Sequence, residues 1–158
     1  MKTRVGIILT SGNLDKVLPA FHLATTSASM GLDTGMFFAS YGINVLHKEN
    51  VKHLPLSLDG AVMMGMRNPE LLEKSLKEII SISTETVKKN LENNKIPPLD
   101  KMVQMAIDLG VKLFPCQNAI KSMGLDKSDL FDGIEEPVGA ATFLQYINSA
   151  EKPLIFTF

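Results

Sequence analysis

Short apolar runs alternate with helical stripes along this chain, and this alternation constrains the fold more than any other feature. Residues 5–9 form a continuous apolar run that ends in a polar turn at 10–13, which predicts a strand buried on both faces. Residues 14–28 carry apolar side chains at spacings of three and four, which predicts a helix. A second apolar run at 34–40 completes a unit of the size of a βαβ crossover, which connects parallel strands.

The rest of the chain continues the alternation. Asn68 and Pro69 suit the first positions of a helix, with an apolar stripe that runs from Leu72 to Leu91. The stretch from 41 to 65 has no clear pattern, and we make no firm assignment there: 41–47 is compatible with a short helix, 54–60 resembles a loop, and 61–66 fits a strand, a helix or an exposed patch. The later segments are predicted as a helix at 99–109, a strand at 111–115, a helix at 117–123, a short strand at 130–135, a helix at 137–150 and a strand at 154–158. The sequence therefore predicts a single α/β domain over residues 1–158 with about five parallel strands.

Composition excludes several classes of protein. The net charge is −1 and the isoelectric point is near 6.3, which argues against a nucleic-acid binder because such proteins carry a basic excess. No apolar run approaches the roughly 18 residues that a membrane span requires, and the run after Arg4 is too short for a signal peptide. We therefore expect a cytoplasmic protein without a membrane span. A single cysteine cannot form an internal disulfide.

That cysteine, Cys116, directly follows the predicted strand at 111–115. In open α/β sheets, ligands bind at the carboxyl ends of strands, near the point where the strand order reverses. Cys116 also precedes the predicted helix at 117–123, where free N–H groups and the positive helix end favour a thiolate. A thiolate is the nucleophile in persulfide and thiosulfonate chemistry. The alternative is a small buried side chain without chemistry, which a lone cysteine at a strand end often is.

The turn at 10–13 is the second candidate site. Such a turn can present backbone N–H groups to an anion, so Ser11, Gly12 and Asn13 are candidate anion- or substrate-binding residues. The alternative is an ordinary turn in which Ser11 or Asn13 caps the next helix. The chain has neither G-x-G-x-x-G nor G-x-x-x-x-G-K-[ST], so nucleotide binding has little support, and we predict no cofactor.

The remaining chemically active side chains give weaker signals. His22, His47 and His53 lie at spacings that match no zinc motif, so we predict no metal site. Glu135 and Glu136 could act as acid or base, but adjacent carboxylates at a turn are usually solvated.

A methionine-rich segment contains Met63, Met64 and Met66. We favour a buried core segment here. The alternative is an apolar patch that lines a pocket or an interface between subunits.

Three stretches together carry a resemblance to a known family. They are Ser11-Gly12-Asn13-Leu14-Asp15-Lys16 with its continuation through 20–24 to Met30-Gly31, Met36-Phe37-Phe38-Ala39-Ser40-Tyr41-Gly42-Ile43, and Cys116-Gln117 followed by Met123-Gly124-Leu125, Asp132-Gly133 and 139–144. In these stretches the chain resembles the DsrE/DsrF-like family, in particular its peroxiredoxin-like branch. The third stretch is the most specific, because a cysteine, a Met-Gly pair and an Asp-Gly pair fall in register.

The resemblance implies a three-layer flavodoxin-like (DsrEFH-like) fold and a homo-oligomer of three or more copies. It also implies an intracellular sulfur carrier or sulfurtransferase, in which Cys116 holds sulfur as a persulfide or thiosulfonate. Gln117 and Tyr41 are added to the candidate binding residues. The donor would be a sulfane-sulfur compound such as thiosulfate or polysulfide, and the acceptor a thiol or a sulfur-carrier protein. Two alternatives stay open. One is a non-catalytic homo-oligomeric binding or assembly module with a buried cysteine, and the other is a small-ligand binder that uses the turn at 10–13.

Overall fold

The computed structural model describes residues 3–158 apart from the side chain of Leu72. Residues 1 and 2 of the predicted domain, and the side chain of Leu72 in the predicted stripe, lie outside the described part of the chain. The strands are β1 (Thr3–Leu9), β2 (Asp33–Phe38), β3 (Lys112–Pro115) and β4 (Lys152–Thr157), and the helices are α1 (Leu14–Ser29), α2 (Leu58–Gly65), α3 (Leu76–Asn93), α4 (Leu99–Asp108), α5 (Gln117–Met123) and α6 (Ala140–Asn148). Short 3₁₀ segments lie between several of them.

The four strands of the described chain form one parallel sheet in the order β3-β2-β1-β4. Each step from β1 to β2 to β3 moves in the same direction across the sheet, whereas β4 returns to the other side of β1. The strand order therefore reverses between β1 and β4. The α/β class and the parallel sheet are confirmed.

Alternate residues of the strands face opposite layers of helices, as the pleat of a strand requires. Val5, Ile7 and Leu9 are buried in the core on the side of α1 and α4. The opposite face packs against α6, where Phe37, Phe114, Phe143 and Ile147 form a smaller cluster. The Phe37 and Phe143 rings stack with their centroids 5.1 Å apart. The result is a three-layer arrangement with helices on both faces of the sheet.

Two glycines hold the end of β1 close to the segment that follows β2. A Cβ on Gly42 would lie 2.2 Å from the carbonyl oxygen of Leu9, and one on Gly12 would lie 2.8 Å from the carbonyl oxygen of Tyr41. Both distances are shorter than any real contact of a Cβ. Glycine is therefore required at both positions for the backbones to approach.

The strand count and one predicted strand need correction. The sheet has four strands where about five were expected, and the predicted strand at 130–135 is absent. Leu130 makes only a single antiparallel bridge to His47. The segment after it runs beside β3 through bonds from Glu135 N to Leu113 O and from Val138 N to Pro115 O. Pro137 lies within this segment and has no N–H, so a regular ladder cannot form.

The predicted helix after Pro69 is also interrupted. A 3₁₀ turn covers Pro69–Glu73, and α3 begins only at Leu76. Ser75 starts α3 with a capping box, in which Ser75 Oγ accepts from Glu78 N and Glu78 Oε2 accepts from Ser75 N. Such a box satisfies the first amides of a new helix, so the chain stops one helix and begins another.

The segment from 54 to 66 differs from expectation as well. Residues 58–60 belong to α2 and not to a loop, because Ser57 Oγ accepts from Gly60 N and caps the helix. Met64 packs against the core, but Met63 and Met66 are both 65% exposed. The favoured interpretation as a core segment is therefore wrong for these two methionines.

Candidate functional site

Cys116 lies where β3 ends and α5 begins. Its backbone N–H donates to Phe38 O at 3.1 Å, which ties it to the end of β2. Its carbonyl accepts from Ile120 N at 3.1 Å, the first bond of α5. Cys116 is thus the N-cap residue of α5, and its side chain is partly exposed as a free thiol. These two bonds fix the backbone of Cys116 on both sides.

The surroundings of the thiol are mostly apolar. Cys116 packs against both core clusters, and its neighbours in the backbone register are Ala39 after β2 and Val138. Val138 also forms a parallel bridge with Cys116, and its carbonyl accepts from Gln117 N at 3.0 Å. Within the described residues, no side chain donates a hydrogen bond to Cys116. Any activation of the thiol must therefore come from backbone groups.

The first turn of α5 offers such groups. Gln117 N is already bonded to Val138 O, and no side chain caps the helix. The N–H groups of Asn118 and Ala119 have no partner in the part of the chain that the structure describes. Unsatisfied amides of this kind at a helix start bind negative charge. Gln117 itself is exposed next to the thiol.

The turn at 10–13 forms a separate recess at the carboxyl ends of β1 and β4. A cavity of about 450 Å³ lies there, lined by Thr10, Ser11, Gly12, Asn13, Tyr41, Asn44, Leu54 and Pro55. Asn13 is the N-cap residue of α1, but its side chain does not cap the helix. Ser11 Oγ accepts from Asn13 N at 3.1 Å and shapes the turn. The N–H groups of Ser11 and Gly12 have no partner among the described residues.

The structure thus divides the predicted site residues into two groups. Cys116 and Gln117 stand at the end of β3, whereas Ser11, Gly12, Asn13 and Tyr41 line the recess beside β1. Because β2 lies between β1 and β3, the turn at 10–13 is roughly 10 Å, two strand spacings, from Cys116. Tyr41 lies nearer, because it follows β2 in a 3₁₀ segment, Ser40–Leu46, that contacts α5. Ser40 stands between the turn and Cys116 at the end of β2, with a positive φ of 49°. The reversal of strand order lies at the recess and not at Cys116.

Val138 is the neighbour of the thiol that sequence reasoning missed. It lies 22 positions after Cys116, in a short segment without the alternation or length of a strand. Its position depends on the turn at Gly133, whose φ is +81°. No local signal in the sequence indicates this pairing.

The other candidate groups lie away from Cys116 or are solvated. His47 Nδ1 accepts from the amides of Glu49 and Asn50. Glu136 pairs with Lys127, and Glu135 is exposed. Among the described residues, no three His, Cys, Asp or Glu side chains are placed to hold a metal. None of the helices in residues 3–158 is long and apolar enough to cross a membrane.

A buried polar cluster occupies the opposite, amino-terminal edge of the sheet. Arg4 Nε donates to Asp33 Oδ2 at 2.8 Å, and Tyr146 OH donates to Asp33 Oδ1 at 2.8 Å. Burial raises the pKa of Asp33, but the bonds from Tyr146 and Arg4 and the charge of Lys112 outweigh it and lower the pKa to about 2. Burial and the bond to Asp33 raise the pKa of Tyr146. This cluster anchors α6 to the sheet, far from the thiol.

A model of the DsrE/DsrF/DrsH-like family matches residues 1–155. The chain belongs to this family. Over 151 residues it is 28% identical to the sulfur carrier protein DsrE2 of Allochromatium vinosum, with 94% of each chain covered. Over 145 residues it is 27% identical to YrkE of Bacillus subtilis, with 89% of each chain covered.

Two solved structures share the fold. The crystal structure of the ychN protein from E. coli matches with a TM-score of 0.60 at 14% identity, with both chains fully covered. The protein MTH1491 of Methanobacterium thermoautotrophicum matches with a TM-score of 0.54, also at 14% identity and full coverage. These likenesses confirm the fold that the resemblance implied.

Proposed function

We propose that this protein is a sulfur carrier that holds sulfane sulfur on Cys116 as a persulfide or thiosulfonate and passes it to an acceptor. The observation that carries the proposal is the position of Cys116, a partly exposed thiol at the carboxyl end of β3 beside unpaired amides of α5. The family and its member named as a sulfur carrier support this use of the thiol.

Loading as a persulfide balances without an external oxidant, whereas a thiosulfonate forms from the thiolate and thiosulfate only with a two-electron oxidant. With thiosulfate as donor, the Cys116 thiol loses its proton to solvent and the thiolate attacks the outer sulfur of thiosulfate. The bond between the two sulfurs of thiosulfate breaks, and sulfite leaves with the electron pair. In the release step an acceptor thiolate attacks the outer sulfur of the persulfide, and Cys116 leaves as a thiolate.

The surroundings assign roles to the neighbouring residues. The amides of Asn118 and Ala119 stabilise the negative charge of the bound sulfur, and Gln117 offers a side-chain amide to the donor. Ala39 and Val138 form an apolar wall beside the thiol that limits the access of water. Ser11, Gly12 and Asn13 lie roughly 10 Å from the thiol, so we assign them, together with Tyr41, to the binding of an anionic group of a larger donor or acceptor.

The proposal includes the partners that the resemblance implied. The donor is thiosulfate or polysulfide, and the acceptor is a thiol or a sulfur-carrier protein. The protein acts as a single domain in the cytoplasm and assembles as a homo-oligomer of three or more copies. None of these steps requires a cofactor.

The test is the intact mass of the purified protein before and after thiosulfate or polysulfide, with dithiothreitol reversal. We expect a reducible gain of one sulfur atom, and a gain of one thiosulfonate group only when a two-electron oxidant is also added. Cys116→Ser, and wild-type protein blocked with iodoacetamide, are the matched controls and should gain nothing. An undiminished adduct on Cys116→Ser would contradict the role of Cys116. A thiol that reacts with iodoacetamide but never gains sulfur would contradict the sulfur-carrier function.

The alternative is a non-catalytic assembly module. The exposure of Met63 and Met66 favours it, because an exposed apolar patch often marks an interface. In that case Cys116 would be covered in the native oligomer and would stay unreactive to iodoacetamide, whereas a sulfur carrier requires an accessible thiol.

A further inference from the structure

The most unusual surface of this protein is its last strand. All six residues of β4 are exposed, and Leu154, Ile155 and Phe156 show 46%, 50% and 40% of their surface. Strands of parallel sheets are normally covered on both faces. Here α1 and α4 cover the centre of the sheet and leave the outer strand bare. We propose that β4 pairs with β4 of a second copy of this chain about a two-fold axis, so that two sheets become one.

The free edge of β4 has the hydrogen-bonding groups for this pairing. Phe158 N donates to Ile8 O, and Phe158 O accepts from Thr10 N, so the backbone of Phe158 faces β1. Because alternate residues of a strand face the same neighbour, Leu154 and Phe156 also face β1. The backbone groups of Ile155 and Thr157 therefore point outward, unpaired, along the edge.

Pro153 selects the register. The backbone of Pro153 also points outward, but proline has no N–H, so a pairing that used Pro153 would lose one hydrogen bond between the strands. A two-fold axis through Phe156 avoids this loss. Ile155 then lies opposite Thr157 of the second copy, and each such pair exchanges two bonds, four in total. An edge strand pairs with itself only in the antiparallel sense, which is the sense that a two-fold axis generates.

The side chains support a second copy as the partner. Natural edges are protected by charged residues and proline, but β4 carries these only at Lys152 and Pro153. With Leu144 of α6, which is 52% exposed, the bare side chains amount to roughly 300 Å² of apolar surface on each copy. Full burial of these side chains on both copies would supply about half of the roughly 1,200 Å² at which specific interfaces begin.

The surface of α6 supplies the remaining contact area. A groove of about 460 Å³ runs between α6 and β4, and it is lined by Leu144, Gln145, Ile147, Asn148, Pro153 and Ile155. The two-fold axis is perpendicular to the joined sheet, so α6 of the second copy lies on the same face and runs in the opposite direction. The two α6 helices then cover both grooves, and the Leu144 side chains move out of water.

Cross-linking tests this register directly. In a Cys116→Ser background, Phe156→Cys places two cysteines directly opposite each other, with Cα atoms about 4.5 Å apart, within the range for a disulfide. Leu154→Cys is the matched control on the same face, and its two copies would lie about 13 Å apart along the strand. Under mild oxidation we expect a disulfide-linked dimer from Phe156→Cys and none from Leu154→Cys.

The molar mass of the protein in solution is the second test of the interface. Light scattering of the wild-type protein should show an even number of copies, and Ile155→Lys should lower that number while circular dichroism remains that of the folded protein. A wild-type monomer, an odd number of copies, or a folded Phe156→Cys variant that stays uncrosslinked would overturn the proposal. Because sulfur loading is measured on Cys116 by intact mass, failure of the interface leaves the proposed sulfur chemistry of Cys116 intact.

Discussion

Asp33→Asn is expected to destabilise the protein in a pH-dependent way. Asp33 binds Arg4 and Tyr146 at the edge of the sheet, and its pKa falls from 3.8 to about 2 on folding. A lowered pKa stabilises the fold above the pKa of the unfolded chain, and that stability is lost as the pH falls toward about 2. The shift corresponds to about 2 kcal/mol at neutral pH.

The substitution also leaves Arg4, which is 8% exposed, without its counter-charge. We therefore expect the free energy of unfolding to fall by about 2–3 kcal/mol at pH 7. The loss should be roughly half as large near pH 3, because Asp33 of the unfolded wild-type chain is mostly protonated there while Asp33 of the folded protein is still ionised. Urea unfolding followed by circular dichroism at both pH values measures this.

Asp132→Asn is the control for that experiment. Asp132 also pairs with a lysine, Lys48, but its side chain is 96% exposed, so its removal should change little. If Asp33→Asn unfolded like the wild type, or if it lost the same free energy of unfolding at both pH values, the reasoning would be refuted.

Two further substitutions test the packing that positions the candidate sites. Gly42→Ala should lower the free energy of unfolding by more than about 2 kcal/mol, because the added Cβ would lie 2.2 Å from Leu9 O. Gly139→Ala is the control, because there is open space around Gly139, and it should cost far less in the same thermal or urea melts. Phe143→Ala should lower the free energy of unfolding by about 3–5 kcal/mol, because the ring is buried between α6 and the sheet. Gln145→Ala, on the exposed side of α6, is the control. Equal losses within either pair would contradict the packing described above.

The elements that carry a clear period in the sequence were predictable. The apolar runs of β1 and β2, the stripe of α1 and the bounds of α5 follow from spacing and from turn residues such as Gly31 and Gly124, both of which have positive φ. Local patterns failed where neighbours in space decide the outcome. The segment after Leu130 resembles a strand but only bridges to His47, and Ser75 divides a stripe that looks continuous.

The candidate site was likewise predictable only where local sequence determines it. The sequence placed Cys116 at a strand end before a short helix, and the structure has it there. It could not show that β2 separates Cys116 from the turn at Ser11, because strand order depends on which strands pair across the whole sheet. Nor could it find Val138 beside the thiol, since that contact depends on the path of an irregular segment.

The most direct test of the sulfur-carrier function follows one sulfur atom through loading and release. Protein loaded with polysulfide and freed of excess donor would be mixed with an acceptor thiol, and the mass of both partners would be measured over time. The account predicts that the sulfur on Cys116 disappears from the protein as an equal amount appears on the acceptor. An accessible Cys116 that never loads, or sulfur that loads but is not passed to any thiol, would contradict it.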